Sequence, residues 1–136
     1  MIERRETVSV QSDQLKERTM SFSVTVLRLI DRFQRGTAAN VVGHQLAKSA
    51  TSVGANYRAA CSARSKAEFI AKLQIVVEEA EETVYWLDVI ARAELLAVDA
   101  KIIRAEANEL LAIFASSLRT ARVNLRSHQM SQSPNQ

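Results

Sequence analysis

Four glutamates crowd one short stretch of the chain: Glu78, Glu79, Glu81 and Glu82. Paired carboxylates inside a helical bundle can hold a di-metal centre, but that chemistry also needs Glu-x-x-His on two of the helices. The chain has two histidines, His44 and His128, and neither follows a glutamate by three residues. The cluster therefore reads as a solvated acidic face, with Glu82 turned inward to pair with a polar group. Asn56 is a poor helix former in a helical setting, which points to a structural hydrogen bond from its side chain, with Glu82 as the candidate partner. Cys61 lacks an adjacent His or Asp and reads as a small buried hydrophobe, although Arg58 and Arg64 are near it. No nucleophile stands beside a base and no ligand set is present, so no enzymatic activity, metal or cofactor is expected.

The basic residues carry more functional content. Lys48, Arg58, Arg64, Lys66 and Lys72 gather from the second helix through the start of the third, against Glu68 alone, and Arg119, Arg122 and Arg126 recur at helical spacing further on. Cations near a helix C-terminus also complement its dipole, so part of this pattern is ordinary helix chemistry. The sharper reading is a phosphate-binding surface, which an oligomer would multiply.

These side chains must be positioned by helices. The chain of 136 residues has 47% hydrophobic residues, three glycines and one proline, a composition suited to long helices. Apolar residues at Phe22, Val26, Leu29, Ile30 and Phe33 predict a first helix over 19–35, closed by Gly36 at a C-cap. A second covers about 38–61 along Val42, Leu46, Ala50, Val53 and Tyr57, with Thr37 or Asn40 as its cap. Its interior Gly54 costs about 1 kcal/mol against Ala, which hints at a packing reason. Ser65 and Glu68 form a capping box that opens a third helix, whose stripe runs through Phe69, Leu73, Val76, Val77, Ala80, Val84, Leu87 and Ala91. Ile70, Ile75, Trp86, Val89 and Ile90 fall outside that stripe, leaving a second apolar face for the bundle or for another subunit. Asp99 opens the fourth helix, to about residue 126, with Ile102, Ile103, Leu110, Phe114 and Leu118 inside. Short turns imply antiparallel neighbours. The expected architecture is an all-α, antiparallel up-and-down four-helix bundle over 19–126, with a flexible N-terminal arm over 1–18 and a disordered tail over 127–136.

The formal net charge of +3 permits an acidic partner without demanding one. One cysteine excludes an internal disulfide and fits a reducing cytoplasm. The first fourteen residues are polar and charged, unlike a signal peptide, and no apolar run approaches the roughly 18 residues of a membrane span.

The stretch from Ser52 through Gly54, Ala55, Asn56, Tyr57 and Arg58 to Cys61, followed by Arg64, Ser65, Glu68 and Phe69, resembles the four helix bundle protein family. That family is also called the 23S rRNA-intervening-sequence protein or S23 family. Its members often read Ser-Ile-Pro-Ala-Asn-Ile-Ala-Glu-Gly and then Arg-Ser-x-x-Glu-Phe; Glu82 falls where a later family glutamate does. Gly54 stands at the family's proline, and Ala59 and Ala60 replace its Glu-Gly, as in a Gly-Ala-Asn-Tyr-Arg-Ala-Ala branch. The resemblance implies an antiparallel bundle able to form homopentamers. More distantly, the chain is similar to accessory proteins of diversity-generating retroelements, which are basic pentamers that bind nucleic acid and a reverse transcriptase.

Two functions are therefore expected as alternatives. One is a non-enzymatic homo-oligomer that binds RNA or DNA through Arg58, Arg64, Lys66, Lys72, Arg119, Arg122 and Arg126 without reading bases. The other is a protein-interaction or structural module with a protein partner and no nucleic acid.

Overall fold

The computed structural model describes residues 2–132, with side chains from residue 10 onward. The described residues form four helices: α1 (Ile2–Ile30), α2 (Thr37–Cys61), α3 (Lys66–Arg92) and α4 (Lys101–Gln132). They close an up-and-down ring in which α1 packs on α2, α2 on α3 and α3 on α4, while α1 and α4 meet only sparsely. Cross-helix contacts fix the antiparallel sense. Along the α1–α2 seam, Ser12 pairs with Cys61, Ser23 with Ala50, and Ile30 approaches Gly43. Along the α3–α4 seam, Gln74 pairs with Arg122 and Asp88 with Arg104. In each series one number rises as the other falls.

The apolar stripes explain the closure. Val26, Leu46, Leu73, Val76, Leu110 and Phe114 are almost wholly inaccessible, each contributing roughly 1.5–3 kcal/mol of burial free energy. Tyr57 and Phe114 meet across the core with ring centroids 5.1 Å apart. Gly54 has the expected packing reason: a Cβ there would stand 3.1 Å from Thr19 Oγ1 and 3.2 Å from Thr19 Cβ. α1 and α2 approach closely at that point, and buried Thr19 meets its own polar need by donating to Leu15 O at 2.8 Å.

Several boundaries differ from expectation. α1 begins at Ile2, so residues 2–18 are helical where a flexible arm was expected. The apolar stripe fades there because α2 is met by short polar side chains: Ser12 Oγ lies 3.2 Å from Cys61 Sγ, and Thr19 seats against Gly54. α1 also stops at Ile30 rather than at Arg35. Its last turn tightens, with Phe33 N donating to Ile30 O, and Gln34 N then donates to Leu95 O of the α3–α4 loop. Gly36 is accordingly not a C-cap for α1. It stands at the N-cap of α2 with φ 154°, and neither Thr37 nor Asn40 caps that helix from a side chain. At the other end α4 runs on to Gln132, so 127–132 is helical where a disordered tail was expected, and 133–136 lie outside the described residues.

The capping box is present in modified form. Glu68 N donates to Ser65 Oγ at 3.1 Å, and the Glu68 carboxylate accepts from Arg64 N rather than from the cap residue itself. Asp99 Oδ1 accepts from Lys101 N and so opens α4 as expected. Of the surplus apolar residues on α3, Ile90 is buried in the core and Val89 and Trp86 are half-buried against it, whereas Ala91 is exposed. Ile102 is the clearest misplacement. It was assigned to the interior but is 85% exposed, since α4 turns Ile103, Ala107 and Leu110 inward and Ile102 precedes that stripe by one residue.

Candidate nucleic-acid interface

Antiparallel order brings the C-terminus of α2, the N-terminus of α3 and the C-terminus of α4 to one end of the bundle. Arg58, Arg64, Lys66, Lys72, Arg119, Arg122 and Arg126 lie on those segments, so two groups distant in sequence become one basic end. All are exposed except Lys72, which is half-buried. Among the described residues none of them takes part in an ion pair; the bridges join Lys16 to Asp13, Arg18 to Glu106 and Glu109, and Arg104 to Asp88.

The end has two flanks. Arg122 Nη2 donates to Gln74 Oε1 across the α3–α4 seam. Arg119 and Arg126, three residues before and four after it, share that side of α4, and Lys66 shares the stripe of Ile70 and Gln74 on α3. These four cations form one patch, with Arg64 on the loop beside it. Arg58 follows Gly54 by four residues and so lies on the α1-facing stripe of α2. Lys72 lies four residues after Glu68 and seven before Glu79, on the side of α3 that faces α2. Arg58 and Lys72 extend the positive end around its rim without joining the α3–α4 patch.

Beneath this surface, Tyr57 is buried beside Ser12 and Cys61. Burial pushes its phenol up to about 12; the Ser12 hydrogen bond works against that and Cys61 adds to it. Cys61 is half-buried, as a packed small side chain should be.

The acidic stretch of α3 begins beside the cations: Glu78 accepts from Gln74 Nε2 at 3.2 Å, and the Oε1 of that same amide takes Arg122. Glu82 does not turn inward and does not meet Asn56. Asn56 Nδ2 donates to Ser52 O one turn back, at 2.8 Å, while Glu82 is exposed and accepts from Trp86 Nε1 at 3.2 Å. A mid-helix asparagine can satisfy itself on its own helix, which the sequence pattern alone does not distinguish from a cross-helix bond. Glu79 is the member that is partly enclosed. Burial raises its carboxyl above the ordinary range, Glu82 and Glu78 add to this, and Lys48 opposes it. Among the described residues no group of three His, Cys, Asp or Glu side chains is placed to hold a metal ion. No described helix is long and apolar enough to cross a membrane.

A second feature went unseen in the sequence. Between α1 and α4 runs a groove of about 580 Å³ lined by Phe22, Thr25, Ile102 and Ile103 and bounded by Arg18, Glu106 and Glu109. Arg18 grips Glu106 through Nε and Nη2 and reaches Glu109 at 2.9 Å, tying the two helices where they otherwise meet least. The only signal for it in the sequence is the adjacent pair Ile102–Ile103, of which one helix face can bury a single member.

Over residues 11–116 the chain matches the family described as 23S rRNA-intervening sequence protein. The protein belongs to that family. A crystal structure at 1.70 Å from Bacteroides thetaiotaomicron, described as a protein with unknown function from the S23 ribosomal protein family, is similar at 31% identity with a TM-score of 0.72. The match covers 79% of this chain and 97% of that one. No curated protein matches the chain. The matched range of the 23S rRNA-intervening sequence protein family takes in most of α1, all of α2 and α3 and the first half of α4, and stops before Arg119.

Proposed function

We propose that this family member is a non-enzymatic homo-oligomer that binds nucleic acid through phosphate contacts at its basic end. The observation that carries the reading is the convergence of cations from α2, α3 and α4 on one end, free of carboxylate partners among the described residues. Structural cations in this chain are paired, as Arg18 and Arg104 are, and a cation left unpaired on a rigid helix end is available to an external anion. Phosphate contacts of this kind position a partner without reading its bases. The family resemblance favours a pentamer, and a ring would repeat the basic end in each subunit and strengthen binding by multivalency. The single cysteine accords with a reducing, cytoplasmic setting.

The test is light scattering coupled to size-exclusion chromatography with absorbance at two wavelengths, followed by titration of RNA and DNA at increasing salt. The expected result is an oligomer whose affinity for nucleic acid falls steeply with salt. A protein that shifts neither RNA nor DNA at low salt sinks the reading.

The α1–α4 groove supports the second reading, a protein-interaction module. Ile102 is an apolar side chain left 85% exposed at the groove's edge. Recovery of a stoichiometric protein partner without nucleic acid, lost in Ile102→Asp, would favour that reading over the first.

A further inference from the structure

We infer that the nucleic acid taken by the basic end is a duplex rather than a single strand, an inference that rests on the phosphate-binding reading above. Proteins that hold single strands combine a cationic groove with aromatic side chains on which successive bases stack, worth about 1–3 kcal/mol per base. This chain separates the two. Phe22, Tyr57 and Phe114 are buried, and Phe33 and Phe69 are packed against the core. Phe69, three residues after Lys66, is half-buried against the core. The accessible aromatic pair is Tyr85, 58% exposed, with Trp86 edge-on to it at 5.0 Å. Eleven residues of α3 separate Tyr85 from Gln74, the partner of Arg122, a distance of roughly 16 Å, and Glu78 and Glu81 lie between them. Glu81, Glu82 and Asp88 surround the pair and repel a phosphate backbone.

A surface that works by charge alone gains most from the densest array of phosphates. A duplex carries one charge per about 1.7 Å of axis and releases about 0.9 counterion per neutralised phosphate, against about 0.7 for a single strand. The geometry agrees. Arg119, Arg122 and Arg126 span roughly 10 Å along α4, and Lys66 stands on the neighbouring helix, whose axis lies about 8–10 Å away. Both rows sit on rigid helices, and a duplex meets them already ordered, whereas a single strand without stacking partners has to be fixed nucleotide by nucleotide. Four such contacts translate into a preference of about tenfold for the duplex at about 50 mM salt.

The experiment is fluorescence anisotropy with the full-length protein and four probes of mixed sequence: an RNA duplex, a DNA duplex, and a single strand of each. The expected result is that one or both duplexes bind about tenfold tighter than their strands at low salt, with a steeper loss of affinity as salt rises. Binding of the RNA duplex alone assigns A-form geometry, and equal binding of both assigns charge density; either supports the inference. A single strand that binds as tightly as its duplex overturns the inference and leaves phosphate binding standing. Failure of all four probes overturns phosphate binding and the inference with it.

Discussion

Both ends of the bundle carry cations without a carboxylate partner among the described residues, Arg28 and Arg32 at one and Arg119 and Arg126 at the other, but they differ in whether a cation is also tied to a carboxylate across a helix seam. Toward the end where α4 begins, Arg104 reaches Asp88 at 2.6 Å, and further along the helix Arg18 is gripped by Glu106 and Glu109. Each joins two helices, α3 to α4 and α1 to α4. At the opposite end the side chains of Arg64, Lys66, Arg119, Arg122 and Arg126 have no carboxylate partner among the described residues, and the cross-helix bond that Arg122 makes to Gln74 goes to a neutral amide. A cation committed to a carboxylate helps hold the fold; one facing solvent on a rigid helix is spare for a ligand.

The strongest way to break this contrast is to neutralise the spare set. The triple variant Arg119→Gln, Arg122→Gln, Arg126→Gln removes three phosphate contacts, and each accounts for about 0.9 in the slope of log affinity against log salt. The slope should fall by nearly three, and affinity at about 50 mM salt should drop on the order of 10³-fold. Thermal stability should hardly move, because exposed substitutions away from caps and core stay within about 0.5 kcal/mol each. A parallel variant at the other end, Arg28→Gln with Arg32→Gln, serves as the control. If both variants lose binding equally, general positive charge is acting and the basic end has no special role.

A second prediction concerns what lies under the basic end. Tyr57 is buried and its phenol is pushed up to about 12, against about 10 for an unfolded tyrosine. The folded state therefore holds the proton more tightly than the unfolded state. That contribution is complete below about pH 10 and is lost as pH rises from there through about 12. Its size is on the order of 2 kcal/mol. Urea midpoints taken at rising alkaline pH should fall more steeply for the native protein than for Tyr57→Phe, which has no proton to lose. Parallel curves for the two proteins would show that Tyr57 is more accessible to water than its packing against Phe114 indicates.

The contrast between the ends was partly legible in the sequence. The seven cations could be picked out by type and spacing, and antiparallel order then required that they share an end, because short turns alternate helix direction. The division of that end into an α3–α4 patch and a rim depends on which face each helix turns inward, and one residue of error reverses such an assignment. Ile102 shows this directly: the pair Ile102–Ile103 offers two equally apolar choices, and the packing of Ala107 and Leu110 selects Ile103. The extension of α1 back to Ile2 was hidden for a different reason. Its contacts with α2 near Ser12 and Thr19 are made by small polar side chains seated against Cys61 and Gly54, so hydrophobic periodicity is silent there. Glu82 was misread because burial of a carboxylate was inferred from neighbouring residue types, whereas its bond to Trp86 one turn on keeps it at the surface.

The smallest expected effect tests the paired side of the comparison. Arg104 and Asp88 are each about two-fifths exposed, at 40% and 43% of the side chain, so solvent screens their attraction and the pair is worth at most about 1 kcal/mol. Asp88→Asn keeps an acceptor for Arg104 Nη2 and removes the charge, and its cost should stay near a few tenths of a kcal/mol. Asp88→Ala also removes the acceptor. Because Arg104 Nε is already buried without a partner, the second loss leaves the guanidinium poorly satisfied, and the cost should rise toward 1 kcal/mol. Chemical denaturation of the two variants measures the difference, and nucleic-acid affinity measured on the same proteins should match the native protein. If either variant weakens nucleic-acid binding by tenfold, the Arg104–Asp88 pair takes part in recognition as well, and the division between spare and committed cations fails.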